Sequence, residues 1–164
     1  MRIAILVDTP NITRSISSRH GEASRADYKE VLQLASRLGK VVCAKALVND
    51  GLPHRHVIKL QSAGLSVVKS HSFDCDEALI AWAIRVYRQV DCFLLCSGDK
   101  HFRSLVRLLQ EVGRKVVVCS VEGSCNSELK ILSNEYLEMP IMPARSLFGV
   151  SGRCAGVETS DRAC

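Results

Sequence analysis

Three short acidic segments stand where apolar runs end or helices begin: Asp8-Thr9-Pro10-Asn11, Asp74-Cys75-Asp76-Glu77 and Ser97-Gly98-Asp99-Lys100-His101. Carboxylates brought close together repel one another unless a cation sits among them, and an all-oxygen donor set suits Mg²⁺ or Mn²⁺. The Ser97-Gly98 turn opens a helix at His101, so free amides and the positive end of a helix dipole are expected beside the same acids and can hold a phosphate. Arg14, Lys69, Lys100 and Arg103 add positive charge around them. An acid cluster, phosphate-binding amides and basic side chains together point to metal-assisted chemistry on a phosphodiester.

Each residue also has a plainer reading. Asp74 followed by Glu77 resembles a helix N-cap pair, and Asp99 can cap the helix after it. Asp8-Thr9-Pro10-Asn11 is compatible with an Asx-type turn, His101 with a first-turn surface residue, and Lys100, Arg103 and Arg107 with a solvated helix face. Only acids at three separate strand exits favour chemistry over capping. Other chemistries lack their parts. There is no Gly-x-Gly-x-x-Gly and no Gly-x-x-x-x-Gly-Lys-Ser/Thr to cradle a dinucleotide or nucleoside triphosphate, and no Gly-x-Ser-x-Gly nucleophile elbow.

The elements that must position these residues follow from periodicity. Apolar, β-branched runs at Ile3 to Val7, Val41 to Val48, Leu65 to Val68, Cys92 to Cys96 and Val116 to Cys119 are continuous, as strands covered on both faces must be. Helical spacing separates them. Tyr28, Val31, Leu32, Ala35 and Leu38 form one stripe, with Ser24-x-x-Asp27 as a capping box and Gly39 as the stop. Leu79, Trp82, Ala83 and Val86 form a second, and Phe102, Leu105, Val106, Leu109 and Val112 a third closed by Gly113. Pro53 to Ala63 and Ser124 to Ser133 are weaker helices. These stripes, Trp82 included, are core.

The expectation is an α/β, three-layer fold with a central, mainly parallel sheet of five strands and helices on both faces. In such sheets ligands bind beyond the carboxyl ends of the strands, where the strand order reverses. Right-handed crossovers make the first and fourth strands neighbours there, so that Asp8 and Asp99 face each other. Ile12 to Ala23, polar and Ser-rich, is expected as a mobile loop. Residues 1–140 form the domain, and 141–164 a C-terminal extension, partly disordered, whose Leu147, Phe148 and Val150 can dock on the body or on a second copy in a homodimer.

Composition bounds the rest. The 164 residues make one domain, with 47% apolar residues to build a core. Eight cysteines without a Cys-x-x-Cys pair argue against a zinc ribbon or thioredoxin-type motif, and Cys43, Cys92, Cys96 and Cys119 fall in strands as small hydrophobes. A net charge of +5 is too small to identify a nucleic-acid binder alone. Asp8 interrupts the first apolar run after a few residues, which fits neither a signal peptide nor a membrane span, and a cytoplasmic location is expected.

The stretch Ile3-Ala4-Ile5-Leu6-Val7-Asp8-x-Pro10-Asn11, the Asp74-x-Asp76 segment, and Ser97-Gly98-Asp99-x-x-Phe102-x-x-Leu105-Val106 followed by Gly113-x-Lys115-Val116-Val117-Val118 resemble the NYN (LabA-like) branch of the PIN-like ribonucleases. Order and spacing match over about residues 1–138. The resemblance implies a Rossmann-like PIN fold whose acids bind Mg²⁺ or Mn²⁺ and hydrolyse RNA. Asp8, Asp99 and one of Asp74 or Asp76 would be metal-binding acids, Asn11 would orient substrate or water, and Ser97 would sit in the phosphate-facing turn. The family's pattern places a second acid two residues after the Ser-Gly-Asp aspartate, where this chain has His101, one negative charge fewer and a poor ligand for Mg²⁺. The expected function is a metal-dependent ribonuclease, with Lys100, His101, Arg103, Arg14 and Lys69 beside the substrate. The alternatives are a weakened RNA-binding or regulatory module of the same fold and, more remotely, a phosphohydrolase of small nucleotides.

Overall fold

A computed structural model describes residues 1–70 and 75–143. Asp74, Leu147, Phe148 and Val150 lie outside the described residues. Six strands form one sheet in the order β4-β3-β1-β5-β6-β7, every neighbouring pair parallel. They are β1 (Arg2–Asp8), β3 (Lys40–Asn49), β4 (Ser66–Ser70), β5 (Cys92–Cys96), β6 (Lys115–Ser120) and β7 (Glu135–Glu138). Two residues of β2 (Arg25–Ala26) pair antiparallel with β8 (Ile141–Met142) outside this sheet.

β1, β5 and β6 read as unbroken apolar runs because both faces are covered. Ile3, Ile5 and Val7 pack on one face with Ile12 and Ile16 of α1 (Thr9–His20), Val31 and Ala35 of α2 (Tyr28–Leu38) and Leu60 of α3 (His54–Ser62). Ala4 and Leu6 pack on the other with Leu79 and Ala83 of α4 (Cys75–Val86), Leu105, Val106 and Leu109 of α5 (Arg103–Glu111) and Leu129 of α6 (Ser127–Leu132). Burying each of the Ile, Leu and Val side chains contributes about 1.5–3 kcal/mol. The crossovers before β4 lie on the first face and those after it on the second, so the winding reverses between β1 and β5. That is the crevice where α/β sheets bind ligands.

Three expectations are corrected. The sheet has six strands rather than five. β7 carries no apolar run and is held sideways by polar contacts: Lys115 Nζ pairs with Glu135 at 2.8 Å, the Tyr136 hydroxyl lies 3.1 Å from Ser120 Oγ, and Oδ1 of Asn134, just before the strand, accepts from Val116 N–H at 2.7 Å. The segment Ile12 to Ala23 is mostly helix, not loop. Asp8 caps α1, Pro10 lies in its first turn, and Ile12 and Ile16, one turn apart, are both buried, a stripe narrow enough to hide in a polar sequence. Gly21, at φ 83°, lets the chain turn away at its end. Ser24 does not cap α2. Its hydroxyl donates to the His20 carbonyl, and Asp27 is the cap, accepting from the Lys29 and Glu30 amides at 3.1 Å each.

Candidate metal centre

Asp8 ends β1 and caps α1, and it is only 3% exposed. Its Oδ1 accepts from Asn11 N–H at 3.2 Å and its Oδ2 from the Ser97 hydroxyl at 2.9 Å, across to the end of β5. Ser97 Oγ in turn accepts from Asp99 N–H at 3.1 Å, and Asn11 Oδ1 accepts from Gly98 N–H at 3.0 Å. The two strand exits are thus tied by side chains. Burial pushes the Asp8 carboxyl from its ordinary 3.8 up to about 6; the bonds from Asn11 and Ser97 pull it down, and the negative charges of Asp76 and Asp99 push it up.

Asp76, in the first turn of α4, meets the same crevice. A donor atom from each of Asp76, Asp99 and His101 lies within 4.8 Å of the other two. His101 Nδ1 stands 3.2 Å from Asp76 Oδ2 and 3.3 Å from Asp99 Oδ1, with 63% of its side chain exposed. Asp99 also caps the 3₁₀ turn Lys100–Phe102, accepting from His101 N–H at 3.0 Å. Capping and clustering are therefore not alternatives here, since the cap fixes the direction of the carboxylate. Phe102, fully buried, anchors the turn in the second core layer. Two carboxylates with an imidazole fit one divalent ion, with a donor set closer to Mn²⁺ than to Mg²⁺. A neighbouring cation would also relieve the cost of ionising the buried Asp8.

The remaining expected residues separate. Ser97 is fully buried, and its hydroxyl is occupied between Asp8 and the Asp99 amide. Asn11 spends its amide oxygen on Gly98 N–H. Arg103 pairs with Glu128 and donates from Nε to the Lys100 carbonyl at 3.1 Å. Lys100 is exposed at the start of the turn, Arg14 is exposed on α1, and Lys69 lies on edge strand β4, with β3 between it and β1. Gly98 admits no side chain, since a Cβ there would stand 2.8 Å from the Ser124 carbonyl oxygen. Its own carbonyl accepts from Asn126 N–H at 3.0 Å, which holds the β5 exit against the loop before α6. Sequence reasoning did not single out this packing or the buried Ser97 bridge. The adjacent Ser97-Gly98 pair was the visible trace of both. Among the described residues no helix is long and apolar enough to cross a membrane.

A crystal structure of a protein of unknown function from Vibrio parahaemolyticus shares the fold, with a TM-score of 0.74 and 26% identity over 84% of this chain and 91% of that one. None of the curated proteins compared matches the chain. The NYN domain model matches residues 2–140, a span that holds β1, the crevice acids and the whole six-stranded sheet. The chain belongs to the NYN domain family.

Proposed function

We propose that the protein is a metal-dependent ribonuclease whose centre is built by Asp8, Asp76, Asp99 and His101. The observation that carries this reading is the convergence of Asp76, Asp99 and His101 beside a buried Asp8 at the switch point of a parallel sheet. A divalent ion held there supplies activation of water and neutralisation of phosphate charge. The chain's own residues prepare the site. Ser97 orients the Asp8 and Asp99 segments toward each other, Asn11 fixes the Gly98 amide, and Lys100 offers an exposed positive charge for the scissile phosphate. RNA is the substrate implied by the family resemblance and favoured by the basic residues around the acids. Of the two candidate acids, Asp76 is the one we place in the centre.

One observation favours a second reading. His101 takes up both neighbouring carboxylates where the family pattern has an acid, which fits a module that binds RNA but cleaves it slowly. Labelled single-stranded RNA incubated with Mn²⁺ separates the two. The ribonuclease reading expects cleavage by the wild type and none by Asp99→Asn. Equal cleavage by both, or binding without cleavage by either, defeats it.

A further inference from the structure

A second feature, on the α1 side of the sheet, has no role in the metal centre. A cleft of about 990 Å³ runs between α1, β2, α2 and α3, at the upper end of the ~300–1,000 Å³ typical of ligand sites. A smaller hollow of about 380 Å³, lined by Pro10, Arg14, Val48 and Pro53, joins it. Thr9, Thr13 and Leu52 line both. Thr9, which lines both cavities, directly follows Asp8 in the chain. Tyr28 on the cleft wall lies close enough to Asp8 to feel its charge.

The trough carries a small excess of positive charge. Arg25, Lys29, Arg55 and Lys59 line the larger cleft and are all exposed, and none forms an ion pair among the described residues. Three acids line it as well, Glu22, Asp27 and Glu30; Asp27 caps α2 and Glu30 reaches Arg37 at 3.5 Å, and the cations outnumber the acids by one. Arg55 and Lys59 of α3 and Arg25 of β2 all bear on His56, whose proton affinity falls through burial and then through these three positive charges. The α3 N-terminus has no side-chain cap and no acid in its first turn. Unpaired positive charge gathered along a groove calls for a polyanion rather than an apolar partner.

We propose that this trough seats the sugar-phosphate backbone of a single-stranded RNA flank, which leaves the metal centre past Arg14 and lies along Arg25, Arg55 and Lys59. The assignment rests on the ribonuclease reading for its polarity but not for its chemistry, since phosphate contacts need no metal. With Tyr28 and His56 the only rings on the cleft wall among the described residues, contact is through the backbone, and binding is expected to be indifferent to base sequence.

The test is fluorescence anisotropy of a labelled single-stranded oligoribonucleotide in EDTA across a salt series, with the full chain and the variant Arg55→Gln/Lys59→Gln. Both positions are exposed, so the variant is expected to keep the wild-type melting temperature. The expected result is affinity reduced by roughly tenfold or more, and a slope of log affinity against log salt shallower by about 1.4, from ~0.7 per single-strand phosphate contact. Mn²⁺ binding, measured separately, should be unchanged. Unchanged affinity and slope would overturn the proposal, as would absence of RNA binding by the wild type at low salt. Equal binding and full competition by poly-glutamate would also overturn it, in favour of an acidic protein partner. Failure of the metal-centre reading would appear elsewhere, as loss of Mn²⁺ binding or of cleavage with the salt-dependent RNA binding intact.

Discussion

Replacing Asp8 by Asn removes a charge that the metal-free fold holds at a cost. The carboxyl rises from 3.8 to about 6 on folding, chiefly through burial. The folded state therefore binds its proton more tightly than the unfolded chain does, and between pH 3.8 and 6 it carries more protons. Stability of the metal-free protein must then fall as pH rises through that window and level off above it. The difference of about 2.2 pH units, at about 1.36 kcal/mol each, amounts to about 3 kcal/mol by pH 7–8. Asn keeps the shape and an oxygen for Asn11 N–H and does not ionise, while its amide nitrogen reverses the Ser97 contact by donating to Ser97 Oγ. Metal-free Asp8→Asn protein should be more stable than the wild type at pH 8, by up to about 3 kcal/mol or roughly 6–12 °C in Tm for a chain of this size. The two should converge near pH 4. Mn²⁺ at a thousand times its Kd should reverse the order, since it stabilises the wild type by about 4.1 kcal/mol and the variant lacks one of the acids proposed for the centre. Urea unfolding followed by the single Trp82, half-buried on α4, reads all of this under reducing conditions. An Asn variant less stable than the wild type at pH 8 without metal, or with the same pH slope, would refute the burial argument.

Other perturbations probe the same assembly. Ser97→Ala leaves Asp8 Oδ2 and the Asp99 amide without their bridge, so it should cost about 1–3 kcal/mol in urea unfolding and weaken Mn²⁺ binding by calorimetry. Gly98→Ala drives a methyl against the Ser124 backbone and should cost about 1–3 kcal/mol while displacing Asp99, read as lower stability together with lower metal affinity. His101→Asp restores an oxygen donor between Asp76 and Asp99, so the ratio of Mg²⁺ to Mn²⁺ affinity should rise over the wild type. Asn134→Ala removes the acceptor of Val116 N–H at the sheet edge and should destabilise by about 1–2 kcal/mol without altering metal binding.

What could be read in advance follows from how each signal is carried. β1 and β5 are legible because burial on both faces demands consecutive apolar residues, and their adjacency follows from crossover handedness. The exits Asp8 and Asp99 could therefore be brought together from sequence alone. α1 was hidden because its packing rests on two isoleucines and its start on the Asp8 cap, which a polar sequence does not advertise. β7 was hidden because its stability is lateral, through Glu135, Tyr136 and the neighbouring Asn134. The Ser97 hydroxyl looked available for phosphate, and nothing in the linear sequence reveals that the Asp8 carboxylate returns to claim it. The cations of the trough are scattered in the linear sequence, since Arg25 and Arg55 meet only after β2 and α3 have docked on the same face.

The decisive measurement is a crystal structure of the protein soaked in Mn²⁺, with anomalous scattering to locate the ion. An ion bonded to Asp76 and Asp99, with His101 in contact and Asp8 beside it, is the expected result, and Asp99→Asn crystals should lose it. Saturating Mn²⁺ that leaves these residues in their mutual hydrogen bonds, with no anomalous peak among them, would contradict the metal centre and the ribonuclease built on it.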